Sequence, residues 1–150
     1  MTLQKYNQKR NFKQTSEPKP ILKNTSSKKT IFVVQEHHAS RLHWDLRLEH
    51  SGVLKSWAIP KEPPLDDKTK RLAIQVEDHP YDYKDFQGTI PEGNYGAGTV
   101  KIWDKGTYIP KLFSDKEIII TFHGKKLKGK YVLIKTGYQK NGWLWFKKKS

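Results

Sequence analysis

The stretch Gln35-Glu36-His37-His38-Ala39-Ser40-Arg41-Leu42-His43-Trp44-Asp45-Leu46-Arg47-Leu48-Glu49 decides how the rest of the chain is read. From Leu42 onward apolar and polar residues alternate strictly, with Leu42, Trp44, Leu46 and Leu48 set against His43, Asp45, Arg47 and Glu49. A two-residue period is that of a half-buried strand, one face in a core and the other free to carry chemistry. The preceding run 31–35 also reads as a strand, and in extended chain Gln35 and His37 point the same way. Two imidazoles and a carboxylate can therefore converge on one polar face.

Outward from this stretch, short β-type runs bounded by turn signals fall at about residues 31–36, 42–49, 53–59, 71–77, 99–103, 117–122, 131–135 and 143–148. Eight short strands, with no long amphipathic helix and no internal repeat, predict a mainly β protein built as a compact closed barrel. Ser51-Gly52 supplies a hairpin turn, and residues 61–70, with Pro63 and Pro64, read as a loop. In the run 71–77, Leu72, Ile74 and Val76 are expected on one face; Arg71, Gln75, Glu77 and, if the strand continues, His79 would form a second polar face. The glycine-rich run Pro91-Glu92-Gly93-Asn94-Tyr95-Gly96-Ala97-Gly98 has neither dinucleotide-binding nor P-loop spacing and is read as a loop shaping the barrel mouth. The run 143–149 reads as a last strand with a solvated end, Trp143 and Trp145 as core rather than base-stacking platforms. Residues 1–28 show neither period and contain Pro18 and Pro20, which predicts an irregular basic arm ahead of a barrel domain at 29–150.

The absence of cysteine from all 150 residues excludes disulfides, thiolate zinc sites and cysteine nucleophiles. There is no apolar leader and no apolar run near the roughly 20 residues that span a bilayer, so the sequence reads as a soluble, cytoplasmic monomer without a membrane partner. The net charge of +14 is unevenly placed: +7 in residues 1–30, +9 in residues 124–150, and −2 between them. Basic ends around a slightly acidic middle suit a polyanion that is held by the ends and processed by the middle.

His37, His43 and Asp45 offer two neutral imidazoles and a carboxylate, a facial set suited to Mn²⁺, Fe²⁺ or Zn²⁺ with positions left open for water and substrate. Arg47, about 6–7 Å further along the same strand face, would add a guanidinium fork for phosphate. The same residues also suit a solvated, salt-bridged face. His38, His50 and His123 are assigned to no site. Two other functions remain open on the residues alone: an Fe(II)-dependent oxygenase using His43-x-Asp45 with the distant His123, and a non-catalytic nucleic-acid-binding barrel using the basic ends and the aromatics.

The chain also resembles a known family, the 3′-phosphoesterase domain of bacterial DNA ligase D, which occurs free-standing in bacteria and archaea. The resemblance runs through Phe32 to His37, Arg41 to Glu49, Leu54 to Lys61, Val76 to Pro80 with Tyr83, the Pro91 to Gly98 loop and Leu127-Lys128-Gly129. Lys9 to Phe12 and Thr15 to Pro18 are similar to the family's N-terminal segment. What the resemblance implies is a β-barrel hydrolase, active with Mn²⁺, that heals 3′ ends of DNA or RNA/DNA in repair by non-homologous end joining. A phosphodiesterase step would remove a terminal ribonucleoside and a phosphomonoesterase step a 3′-phosphate, leaving a 3′-hydroxyl. The implied partners are DNA or DNA–RNA hybrid 3′ ends, a separate DNA ligase or polymerase, and end-binding repair proteins. Carried over residue by residue, His37, His43 and Asp45 hold the metal, Arg47 and His79 contact the scissile phosphate, and Tyr83 supports them. Gln35, Lys61, Arg71 and Glu77 match further site positions, and Arg10 and Glu17 match arm residues that complete the pocket. Asn11 stands where the family commonly has Asp, which bears on the balance between the two activities.

Overall fold

Thr30–His38 (β1) and Leu42–His50 (β2) form the hairpin that the alternation predicts, paired antiparallel so that His37 faces His43, Gln35 faces Asp45 and Val33 faces Arg47. The computed structural model describes residues 3–10, 17 and 30–149. The hairpin is followed by Val53–Ile59 (β3), Lys70–Pro80 (β4), Gly88–Ile90 (β5), Gly98–Phe113 (β6), Glu117–His123 (β7), Lys128–Lys135 (β8) and Gly142–Lys147 (β9). Neighbours run β1-β2-β3-β4-β9-β8-β7-β6, and β6 pairs back onto β1 to close an eight-stranded antiparallel barrel. The short β5 is added on the first residues of β6. Closure leaves no long free edge, so the backbone groups of the wall are paired within the wall.

Every second residue of the hairpin points inward, and Phe32, Val34, Trp44, Leu46 and Leu48 meet Trp57, Ile59, Phe122, Tyr131 and Leu133 in the interior. Trp143 and Trp145, 1% and 0% exposed, belong to this core as the sequence suggests. All eight expected strands are present. Two departures matter for function.

The first is that the polar face of β2 is buried as well: Asp45, Arg47 and Glu49 are each nearly inaccessible. A second layer lies against the outside of the wall, where Tyr6 of the helix Leu3–Gln8 (α1), Tyr83 of the 3₁₀ helix Tyr81–Asp85, Phe86 just after it and Ile90 of β5 pack with Leu54 and Val100. With six residues, α1 is too short to show a helical period in sequence. It is anchored instead by the fully buried Tyr6.

The second departure corrects the reading of β4. Ala73 is the fully buried residue of its first half while Leu72 is exposed, so Arg71 and Gln75 share the inward parity and Leu72, Ile74 and Val76 point outward. Pairing with β3 then slips: Ser56 faces Val76 and Leu54 faces His79, which leaves Glu77 and Asp78 opposite Lys55 alone. This β-bulge resets the alternation and aims His79 at the face carrying Asp45 and Arg47. Arg71 stays behind, and its Nε donates to the Glu62 carbonyl at 2.6 Å.

Candidate active site

His37 and His43 are cross-strand neighbours with ring centres 4.7 Å apart, and Asp45 lies two residues along β2 from His43 on the same face. The ligand atoms of the three all fall within 4.8 Å of one another. Each imidazole has one nitrogen committed to a backbone carbonyl, His37 Nε2 to Gly96 at 2.7 Å and His43 Nδ1 to Arg41 at 3.2 Å. Those bonds assign the proton to the committed nitrogen and turn the bare one toward Asp45. His37 Nδ1 stands 3.5 Å from Oδ2 and His43 Nε2 3.4 Å from Oδ1. Two lone pairs facing a carboxylate across such gaps form a donor set that fits a divalent cation, and the carbonyl-tied far nitrogens are the usual orienting bonds of metal-binding histidines. Burial alone would raise Asp45, but His37, His43 and Arg47 hold its carboxyl well below the usual range. Burial would lower His43, and the Asp45 carboxylate outweighs it and raises the ring.

The contact to Gly96 gives the glycine-rich loop its place. Gly98 opens β6 at φ 135°, and a Cβ there would stand 2.3 Å from the His38 carbonyl oxygen, so only glycine lets the loop turn this tightly against the end of β1. The loop lies beside the metal-type cluster, where β1 ends and β6 begins.

Arg47 is held from three sides. Its Nε donates to Gln35 Oε1 at 2.7 Å, its guanidinium lies 4.7 Å over the Tyr83 ring, and Nη2 is 3.7 Å from Asp45 Oδ2. Gln35 is itself fixed, its Nε2 donating to the carbonyls of Tyr83 and Phe86. Nη1 is buried without a partner among the described residues. A buried, oriented and unsatisfied guanidinium N–H is costly unless an anion meets it.

The N-terminal segment supplies the opposite wall. Arg10 stacks 3.9 Å over the Tyr6 ring, donates from Nε to Glu17 Oε2 at 2.8 Å, and places Nη2 3.1 Å from His79 Nε2. Tyr83 donates its hydroxyl to the same Glu17 oxygen at 2.7 Å, and Lys9 forms an ion pair with Glu77 at 2.8 Å. His79 Nδ1 lies 3.0 Å from the Glu77 carbonyl. A cavity of about 220 Å³ opens among these groups.

Of the residues singled out in the sequence, His37, His43, Asp45, Arg47, Glu77, His79, Tyr83, Arg10 and Glu17 line this one cavity, and Gln35 stands directly behind Arg47. Lys61 is exposed and, like Arg71, lies outside the cavity lining. Asn11 lies outside the described residues. His123, at the exposed end of β7, is not part of the cluster, and His37 takes the third position that the oxygenase pattern assigns to it. His38 pairs with Glu36, and His50 stacks on Phe113.

A sequence profile of the DNA ligase D 3′-phosphoesterase domain matches residues 35–135. The chain belongs to this family. Among curated members of the DNA ligase D group, the multifunctional non-homologous end joining protein LigD of Pseudomonas aeruginosa is 48% identical over 153 residues, an alignment covering 96% of this chain and 18% of that protein. The multifunctional non-homologous end joining DNA repair protein LigD of Mycobacterium tuberculosis is 47% identical over 138 residues, covering 89% of this chain and 18% of the relative. The chain thus spans about a fifth of the length of these relatives. The 3′-phosphoesterase-domain match includes every residue of the His37, His43, Asp45, Arg47 and His79 constellation, while Arg10 and Glu17 precede it. No helix among the described residues is long and apolar enough to cross a membrane.

Reasoning on the sequence missed Tyr95 and Gly96 in the cavity lining, and Tyr6 and Lys9, which support the lining residues Arg10 and Glu77. Tyr6 carries no periodic signal, and a backbone carbonyl carries none at all. Lys9 and Tyr95, joined by a 3.2 Å bond from Nζ to the phenol oxygen, stood inside the two segments already noted.

Proposed function

We propose that the chain is a metal-dependent 3′-end-healing phosphoesterase. It acts on DNA or RNA/DNA 3′ ends, removing a terminal ribonucleoside, a 3′-phosphate or both, to leave a 3′-hydroxyl. The observation that carries this reading is the placement of Arg47 Nη1, buried and without a partner among the described residues, beside a His37-His43-Asp45 donor set inside one cavity. A cation and a free guanidinium N–H a few ångströms apart are what a phosphate ester needs on its non-bridging oxygens.

His37, His43 and Asp45 would hold the cation. Imidazole ligands beside a carboxylate favour Mn²⁺ and other transition ions over Mg²⁺. The bound ion supplies Lewis-acid polarisation of a phosphoryl oxygen and a more acidic coordinated water. Arg47 binds the phosphate, kept in line by Gln35 at Nε and by the Tyr83 ring beneath it. Because a guanidinium can only donate, His79 Nε2 accepts from Arg10, and its Nδ1–H donates to Glu77. His79 is then a neutral acceptor that positions Arg10, and burial together with Arg47 and Arg10 opposes its protonation. This favours an electrostatic, positioning role for His79 over the alternative of protonating the leaving oxygen. Arg10 adds a second cation at the phosphate, with Glu17 and Tyr83 fixing its direction.

The 3′-hydroxyl product is the group a DNA ligase or polymerase requires, which makes such activities the partners in joining ends. The test is incubation with a primer–template ending in a single 3′-ribonucleotide, with and without Mn²⁺. A Mn²⁺-dependent shortening by one nucleoside, followed by conversion of a 3′-phosphate to a 3′-hydroxyl, is expected. Binding without any metal-dependent product would instead favour the non-catalytic barrel.

A further inference from the structure

We propose that a lysine-lined hollow at the ends of β8 and β9 is a second contact surface for the nucleic-acid backbone. It would hold the body of the same molecule whose 3′ end enters the cavity, and in that respect it rests on the reading above. The hollow, of about 850 Å³, gathers Lys128 and Lys130 from β8 with Lys147, Lys148 and Lys149 from β9 and the residues after it. Register brings them together: Tyr131 faces Lys147, and Lys148 N donates to the Lys130 carbonyl at 2.8 Å. Gly129, at φ 96°, lies between Lys128 and Lys130 in the floor of the hollow.

Charge is what singles this hollow out. The acids at its border are Asp66 and Asp67, and among the described residues none of the five lysines forms an ion pair with a carboxylate. Asp66 is turned into its own loop, where Oδ1 accepts from Lys68 N at 2.9 Å. Residues 124–150 contain nine lysines and no acid to relieve the repulsion. Uncompensated cations held this closely match a polyanion better than a single small anion, and a duplex backbone presents one charge per roughly 1.7 Å.

Position then relates the hollow to the cavity. Asp45 faces Ala58, Ala58 faces Ile74, and Lys70 faces Phe146, so β2, β3, β4, β9 and β8 are consecutive in the wall. The start of β2, the start of β4, the end of β9 and the start of β8 therefore open on the same end of the barrel. At about 4.8 Å per strand, β9 lies about 14 Å and β8 about 19 Å around the wall from β2. That span corresponds to about four to six nucleotides at 3.4 Å each. Lys70, its Nζ 5.2 Å from the Phe146 ring centre, carries positive charge across the interval.

The test compares two charge-matched triple variants of the full chain. In one, Lys128, Lys130 and Lys148 are changed to Gln. In the other, Lys111, Lys116 and Lys135, at the far ends of β6, β7 and β8, are changed to Gln. With a DNA hairpin of ten base pairs bearing a 3′-ribonucleotide, the first variant should raise Kd roughly tenfold at 0.1 M salt and flatten the slope of log K against log salt by about 2 to 3. The control should change both far less. With a stem of three base pairs the first variant should bind like the wild type, and its turnover at saturating DNA and its metal content should be unchanged throughout. Equal losses in both variants, or an equal loss on the short stem, would overturn the surface and leave net charge alone as the cause. Wild-type protein that cleaves while the first variant binds normally sinks only the surface. A wild type that shows the salt slope and the length dependence but no cleavage keeps the surface and sinks the phosphoesterase reading.

Discussion

The guanidinium of Arg10 reaches His79 Nε2 at 3.1 Å, joining the N-terminal segment to the last turn of β4 across the cavity. Because the guanidinium has no acceptor, this contact defines the His79 tautomer and with it the charge of the cavity's inner wall.

One outcome concerns pH. Burial first, then Arg47 and Arg10, lower His79 well below its ordinary value of 6.5. As pH falls below about 6.5, the unfolded chain takes up a proton at this ring that the folded chain refuses. Its contribution to stability is therefore full above that pH and declines as pH falls toward the lowered folded value. Urea denaturation between pH 7.5 and 5 should show a steeper acid loss in the wild type than in His79→Gln, and imidazole ¹⁵N spectra at pH 5.5 should show this ring neutral and protonated at Nδ1. A charged ring at pH 5.5 would contradict the assignment.

His37→Ala, His43→Ala and Asp45→Ala should each reduce bound Mn²⁺ to near background in equilibrium dialysis and remove turnover. Chelation should stop the wild type, and Mn²⁺ should restore it better than Mg²⁺. Full activity in excess chelator would end the metal mechanism.

Removing Arg47 should cost at least about 100-fold in rate while metal content and far-UV circular dichroism stay normal. Arg47→Lys should recover little, because an ammonium cannot serve Gln35 Oε1 and a phosphate with one planar fork. His79→Ala should fall in the same range, through misdirection of Arg10. Turnover near wild type in folded, metal-loaded variants would return both to a structural role.

Glu17 accepts from Arg10 and Tyr83 on a single oxygen, so it acts as the clasp between segment and barrel. Glu17→Ala should free Arg10 from the barrel, read as faster tryptic cleavage after Arg10, and depress turnover at saturating DNA, with little change in Kd. Arg10→Ala should do the same, and deletion of residues 1–22 should in addition weaken binding at low salt. Asn11→Asp should raise activity. Undiminished turnover by the truncated chain at saturation would reduce the segment to an electrostatic tether.

Asp104 gives a contrast outside the cavity. Its carboxylate accepts the backbone N–H groups of Lys105, Lys125, Lys126 and Leu127 at 2.8–3.0 Å, tying β6 to the β7–β8 turn. Asp104→Ala should destabilise by about 3 kcal/mol and lower Tm by roughly 6–12 °C, read by calorimetry, with Mn²⁺ affinity retained.

The barrel was legible because its strands alternate: Leu42 to Glu49 names its own inward and outward sides, and the aromatic run from Trp143 names the last strand. The candidate metal cluster was legible for the same reason, as His37, His43 and Asp45 lie on strands whose facing residues follow from the period. Where the period is reset, the reading failed. Arg71 and His79 were placed on one face because the bulge at Glu77 and Asp78 has no mark in the sequence, neither residue being Gly or Pro. The outer layer was hidden too, since Tyr6 acts through a single buried ring on a helix of six residues.

That bulge also fixes what the site tolerates in length. Val76 and His79, three residues apart on β4, face outward with Ser56 and Leu54, which are two apart on β3; if β4 ran through all its residues without the bulge, the side chain at position 79 would turn with Arg71 and Gln75 into a barrel already filled by Trp57 and Trp143. The extra residue at Glu77 and Asp78 is thus what brings the acceptor at His79 within reach of Arg10. The cavity depends on a count of residues as much as on their identity, since β4 spends one more residue than β3 on the same stretch of wall.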